Sequence, residues 1–154
     1  MWKLYIFVDA DASPVQKEVI DIAAKYDIRV FLVKSFAHFS PEKPADHVEV
    51  LYVDQSKEAA DLAIFHRAGE GDIVVTQDYG LASLCLSKKC RVIHHKGFFF
   101  TEKNIDRLLA SRHEQAKLRR AGKRTKGPSP YTKEEREKFV KLLESVIQDE
   151  LMNQ

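Results

Sequence analysis

Lys3-Leu4-Tyr5-Ile6-Phe7-Val8-Asp9-Ala10-Asp11-Ala12-Ser13-Pro14 decides the fold class. Its first half is aromatic, β-branched and almost continuously apolar, which suits a strand buried on both faces of a parallel sheet. Its second half is turn chemistry, with Asp11 or Ser13 placed to cap a helix and Pro14 suited to a first turn. Val15, Val19, Ile22, Ala23 and Tyr26 then recur at helical spacing to about residue 27. Strand, turn and amphipathic helix together make the opening unit of an α/β protein.

The same alternation continues outward. Residues 29–33, 48–53, 73–76 and 91–94 are short apolar runs of strand length. Residues 57–68, 79–89, 102–121 and 132–150 carry helical spacing, with Ser56 a cap and Gly69 a stop for the first of these. Residues 35–47 hold Pro41 and Pro44 among polar neighbours and read as a loop. The pattern predicts an open, mostly parallel sheet of about five strands with helices on both faces and a C-terminal helical extension. The division expected is an α/β domain over 1–121, a flexible basic connector over 122–130, and a C-terminal helix over 131–154 packed on the same domain.

The totals agree with that class. The chain has 154 residues, 44% hydrophobic and 31% charged, enough for one domain with a real core. No apolar run approaches the roughly 18–20 residues that span a bilayer, and no small-residue cleavage site follows the N-terminal run, so neither a membrane span nor a signal peptide is expected. Cys85 and Cys90 have neither zinc-knuckle nor CxxC spacing and read as free thiols of a cytoplasmic protein. The net charge of +2 is unevenly spread. Residues 111–154 carry 11 Lys+Arg against 7 Asp+Glu, whereas residues 1–110 carry 14 against 16. A basic segment beside a slightly acidic body suggests an anionic partner.

Binding groups of an open parallel sheet collect beyond the carboxyl ends of its strands. Asp9 directly follows the first strand, and Asp78 lies two residues past Thr76, the end of the fourth. Asp11 shares the first turn with Asp9, as a helix cap or as a further ligand. Asp61 interrupts an otherwise apolar helix flank one turn after Glu58. Carboxylates gathered in this way repel one another unless a cation neutralises them, and oxygen donors with water suit Mg²⁺ or Mn²⁺. Asp9, Asp61 and Asp78 are therefore the candidate catalytic residues, and with Asp11 the candidate metal ligands. Thr76, Asp72 and Ser13 are auxiliary candidates, although Asp72 also fits a turn, Thr76 a structural strand position, and Ser13 lacks the setting of a nucleophile. His94 and His95 read as structural or substrate-facing. Lys117, Arg119, Arg120, Lys123, Arg124 and Lys126 form a solvated charge run or a phosphate-contacting surface. Phe98, Phe99 and Phe100 are either a core anchor or stacking platforms for unpaired bases.

Val8-Asp9-Ala10-Asp11-Ala12-Ser13-Pro14-Val15, Ala60-Asp61-Leu62-Ala63-Ile64, Gly71-Asp72-Ile73-Val74-Val75-Thr76-Gln77-Asp78 with Leu81-Ala82, and Arg124-Thr125-Lys126-Gly127-Pro128 resemble the YaiI/YqxD family of bacterial proteins, in order and with family spacing. The chain departs at Ser13, where the family commonly has Cys, which weakens any thiol chemistry there. The resemblance implies a fold similar to PIN-like domains, a three-layer α/β/α arrangement, many of whose members are Mg²⁺- or Mn²⁺-dependent ribonucleases. The PIN pattern of an acid after the first strand matches Asp9, its helix acid matches Asp61, and its Thr-x-Asp matches Thr76 and Asp78. A further acid common shortly afterwards is replaced here by Gly80 and Leu81, so Asp11 or Asp72 would substitute. The expectation is a metal-dependent nuclease acting on nucleic acid, RNA before DNA. Two alternatives stand beside it: a non-catalytic RNA-binding or adaptor domain, and a haloacid-dehalogenase-type phosphatase with Asp9 as nucleophile and Asp11 as general acid.

Overall fold

The computed structural model describes residues 3–124 and 130–153. In chain order the elements are β1 (Tyr5–Asp9), α1 (Gln16–Lys25), β2 (Arg29–Ser35), β3 (Val48–Val53), α2 (Lys57–Arg67), β4 (Ile73–Val75), α3 (Tyr79–Ser87), β5 (Arg91–His94), β6 (Phe98–Phe99), α4 (Glu102–Arg120) and α5 (Lys133–Met152). Among the described residues the strands form one sheet in the order β3-β2-β1-β4-β5-β6. β1 pairs in parallel with both β2 and β4, setting Phe7 between Phe31 and Val74. β6 alone runs antiparallel, against β5.

Alternation along β1 sends its side chains into two separate cores. Ile6 and Val8 meet Val15 and Val19 on one face, where Phe139, Leu143 and Ile147 of α5 complete the layer. Phe7 points the other way, with Ile64 of α2, Leu81 and Cys85 of α3 and Ile105 of α4. The result is three layers, helices α1 and α5 on one side and α2, α3 and α4 on the other. Both long C-terminal helices begin in capping boxes, Thr101 with Asn104 and Thr132 with Glu135. Those reciprocal bonds satisfy amide groups that have no partner within the helix. Among the described residues, no helix is long and apolar enough to cross a membrane.

Three details differ from expectation. The sheet of about five strands has a sixth among the described residues, β6. β6 is two residues long and part of a triple phenylalanine, so it carries no alternation by which a strand is recognised. Phe100 beside it is buried, which makes the triplet a core anchor. Neither Asp11 nor Ser13 caps α1: the helix starts at Gln16, after Pro14, and its cap position is Val15, with no side-chain bond. The loop after β2 contains a single 3₁₀ turn, Phe36–His38.

The strand order also explains where a site forms. β1 leads into α1 on one face, while β4 leads into α3 on the other. The chain therefore leaves two adjacent strands in opposite directions, opening a crevice at their carboxyl ends.

Candidate functional site

Asp9 closes β1 at this crevice, and Thr76 and Asp78 follow β4 beside it. Thr76 is buried, and its hydroxyl both donates and accepts. It donates to Asp9 Oδ2 at 3.0 Å and accepts the Asp78 backbone N–H at 3.0 Å. Asp78 caps α3, its Oδ1 accepting the Leu81 N–H at 3.0 Å, where the helix end favours negative charge. Gly80 leaves room for that carboxylate, since an added Cβ would lie 3.2 Å from Asp78 Oδ1. Burial pushes the Asp9 carboxyl above its ordinary value, the Thr76 bond opposes this, and the neighbouring Asp78 and Asp11 charges add to the rise.

Asp11 is held rather than loose. Both its oxygens accept the Ser35 N–H at 3.1 Å, and His38 Nδ1 lies 2.8 Å from Oδ1. This ties the first turn to the 3₁₀ turn after β2. Asp61, on α2, borders the same space. Together Asp9, Asp11, Asp61 and Asp78 line a cleft of about 670 Å³. To the same lining α4 contributes Leu108, Ser111, Arg112, Gln115 and Arg119. The Arg112 guanidinium sits 5.9 Å from the centre of the Tyr79 ring, itself part of the wall. Gln115 Oε1 is buried without a hydrogen-bond partner among the described residues.

Two auxiliary candidates fall elsewhere. Asp72 precedes β4, at the amino end of the strands, and accepts from Tyr5 N–H at 3.1 Å and Gly69 N–H at 2.9 Å. It is a turn-closing residue and does not reach the cleft. Ser13 accepts the Val15 N–H at 3.4 Å and is not part of the cleft wall. His94 is buried; its Nδ1 accepts the Lys96 N–H at 3.0 Å and its ring stacks on Phe98. Burial lowers the His94 pKa to about 3, with His95 and Lys96 adding repulsion, so it is a neutral core ring. Of the basic run, Lys117, Arg119, Arg120, Lys123 and Arg124 are exposed, with Arg119 reaching the cleft. Lys126 lies outside the described residues.

Asp54, Gln77, Arg112 and Gln115 were not foreseen as site residues. Asp54 directly follows β3, so the rule that singled out Asp9 applies to it equally. Leu108, Ser111, Arg112, Gln115 and Arg119 recur at spacings of three and four, a single helix face that periodicity could have revealed.

The donors fit a hard divalent cation in kind, being carboxylate oxygens that repel one another in a partly buried setting. Among the described residues, however, no three or more His, Cys, Asp or Glu are gathered at ligand distances.

A family profile described as "Uncharacterized BCR, YaiI/YqxD family" matches residues 7–149. A UPF0178 protein of Bacillus cereus is 51% identical over 142 residues, covering 92% of this chain and 97% of its own. Another, from Bacillus mycoides, matches to the same extent, 51% over 142 residues. A third, from Oceanobacillus iheyensis, is 53% identical over 137 residues, 89% of this chain and 94% of its own. No solved structure matches.

Proposed function

We propose that this chain, which belongs to the YaiI/YqxD family, is a divalent-metal-dependent nuclease that cuts RNA in the cytoplasm. The observation that carries the reading is a cleft lined by Asp9 and Asp78, held by the Thr76 hydroxyl at the Asp9 carboxylate and the Asp78 amide, together with Arg112 and Arg119 of α4. Acids and arginines lining one cleft match the two needs of phosphodiester hydrolysis: a place for a cation and a grip on the phosphate. Asp9, Asp61 and Asp78 would hold Mg²⁺ or Mn²⁺, with Asp11 as the auxiliary acid. Bound there, the ion would neutralise charge on the phosphate and make water a better nucleophile. Thr76 fixes the Asp9 carboxylate through its hydroxyl. Arg112 and Arg119 would draw the strand against α4.

The test is to incubate wild type and an Asp9→Asn, Asp78→Asn double variant with single-stranded RNA, in Mn²⁺ and in chelator. Metal-dependent cutting that vanishes in the variant supports the reading. Absence of cutting by wild type in Mn²⁺ overturns it.

One observation favours the non-catalytic RNA-binding alternative: the acids are not gathered into a three-ligand group among the described residues. RNA affinity without turnover would select it. The phosphatase alternative is the weaker, because it gives Asp61 of the cleft lining no role.

A further inference from the structure

Gln115 Oε1 is a buried acceptor with no hydrogen-bond partner among the described residues, yet its side chain belongs to the lining of the cleft. Glu18 Oε2 shares that condition, but Glu18 is not part of the cleft lining and its carboxylate is already paired with Arg136. A buried oxygen left in this way costs about 1–3 kcal/mol, so a donor arriving in the cleft would relieve it. Gln115 as a whole is only half-buried, and a terminal amide turns in a broad well. Its Oε1 gives up no bond in turning toward a ligand.

The neighbours of Gln115 on α4 indicate what that donor is attached to. Arg112 and Arg119 line the same cleft from the same helix, two turns apart, about 10 Å along its axis. Gln115 stands between them. The Arg112 guanidinium is steadied by the Tyr79 ring, whose centre is 5.9 Å away. Guanidinium groups suit phosphate, and two of them spaced along one helix suit two phosphates of one strand. What lies between two phosphates of a strand is a sugar. In RNA that sugar carries a 2′-hydroxyl able to donate, and in DNA it does not.

We infer that Gln115 Oε1 accepts a hydrogen bond from a ribose 2′-hydroxyl and so makes the cleft prefer RNA to DNA. The inference rests on the proposed function in needing a nucleic acid strand in the cleft; it needs neither cleavage nor a bound cation. A ribose satisfies an oxygen that is orphaned in the free protein, whereas deoxyribose leaves it orphaned. That difference is the discrimination between the two strands. A 2′-O-methyl ribose keeps its oxygen but has lost the proton, so the cleft treats it as it treats deoxyribose.

The experiment uses the full chain in chelator, so that cutting cannot intervene, and follows labelled oligouridine strands by fluorescence anisotropy. The strands carry ribose, 2′-O-methyl ribose or deoxyribose; uracil has no exocyclic amino group, which keeps that base donor out of play. Wild type is expected to bind the ribose strand about tenfold more tightly than the other two. Gln115→Met keeps the length and removes the acceptor. It should bind all three strands alike, at wild type's affinity for deoxyribose, and should melt no lower than wild type because Oε1 has no bond to lose. Gln115→Glu retains an acceptor and should retain the preference, even as its charge weakens binding to every strand. Four outcomes overturn the inference: equal binding of ribose and deoxyribose by wild type, methylated strand bound as ribose is, a preference surviving in Gln115→Met, or no binding at all. A preference erased in Gln115→Met, with no cutting by wild type in Mn²⁺, leaves the inference standing and removes the nuclease reading alone. Equal binding with metal-dependent cutting does the reverse.

Discussion

Thr76 Oγ1 lies 3.0 Å from Asp9 Oδ2, one hydrogen bond joining residues 67 apart in the chain across the two central strands of the sheet. Because the same hydroxyl accepts the Asp78 N–H, it holds both acids in register.

Thr76→Val keeps the shape but removes both bonds, leaving Asp9 Oδ2 without its donor and the Asp78 amide without its acceptor. A loss of about 1–3 kcal/mol is expected in urea unfolding. Thr76→Ser should recover most of it. On the nuclease reading, the valine variant also loses cutting in Mn²⁺ while its circular dichroism spectrum stays that of wild type.

Half-buried Asp9 and buried His94 pull the pH dependence in opposite directions. Asp9 has a raised pKa in the folded state, so the fold binds more protons than the unfolded chain, and stability falls as pH rises from the ordinary carboxylate value through the folded one. Asp9→Asn should therefore raise the melting temperature at pH 7, with the gain shrinking at acid pH. His94 is lowered to about 3, so between that value and the usual 6.5 the unfolded chain binds the extra proton. Its contribution is present above pH 6.5 and is lost as the pH falls towards 3. Melting curves of His94→Gln across that window should be flatter than those of wild type.

Mn²⁺ binding to the folded chain would appear as a rise in melting temperature. At a concentration of 100 times the dissociation constant the gain is about 2.7 kcal/mol. The Asp9→Asn, Asp78→Asn variant should show no such rise, whereas Asp72→Asn, altered at the far end of the strands, should respond as wild type does.

Arg112 and Arg119 should act on phosphate rather than on base identity. Replacing either with Ala is expected to weaken RNA binding uniformly across sequences. It should also reduce the slope of log affinity against log salt by roughly 0.7 for each phosphate that the arginine had neutralised.

Gly97 tests the seating of α5. Its φ of +92° disfavours a side chain, and a Cβ there would lie 2.8 Å from Lys138 Cγ and 2.9 Å from the Phe139 amide nitrogen. Lys138 can swing away, but the backbone of α5 cannot. Gly97→Ala should cost about 1–3 kcal/mol in thermal or urea unfolding, because Phe139 is wholly buried in the core that α5 completes.

Much of this architecture was already legible in the order of residues. A strand buried on both faces writes itself as an unbroken apolar run, and an amphipathic helix as a period of three to four, so β1 to β5 and α1 to α5 were all anticipated. That Asp9 and Asp78 stand at strand ends was legible because strand ends are local features. β6 escaped because two residues carry no period, and Gln115 escaped because its unpartnered oxygen depends on what packs around it. Only the tertiary structure could decide that Asp11 spends its oxygens on Ser35 and His38 rather than on α1, or that Asp72 closes a turn at the far end of the strands. It alone sets one face of α4 against the acids. Periodicity records which side of an element is apolar. Which element that side meets, and which donor a carboxylate finds, depends on contacts between segments far apart in the chain, and those exist only once the sheet has assembled.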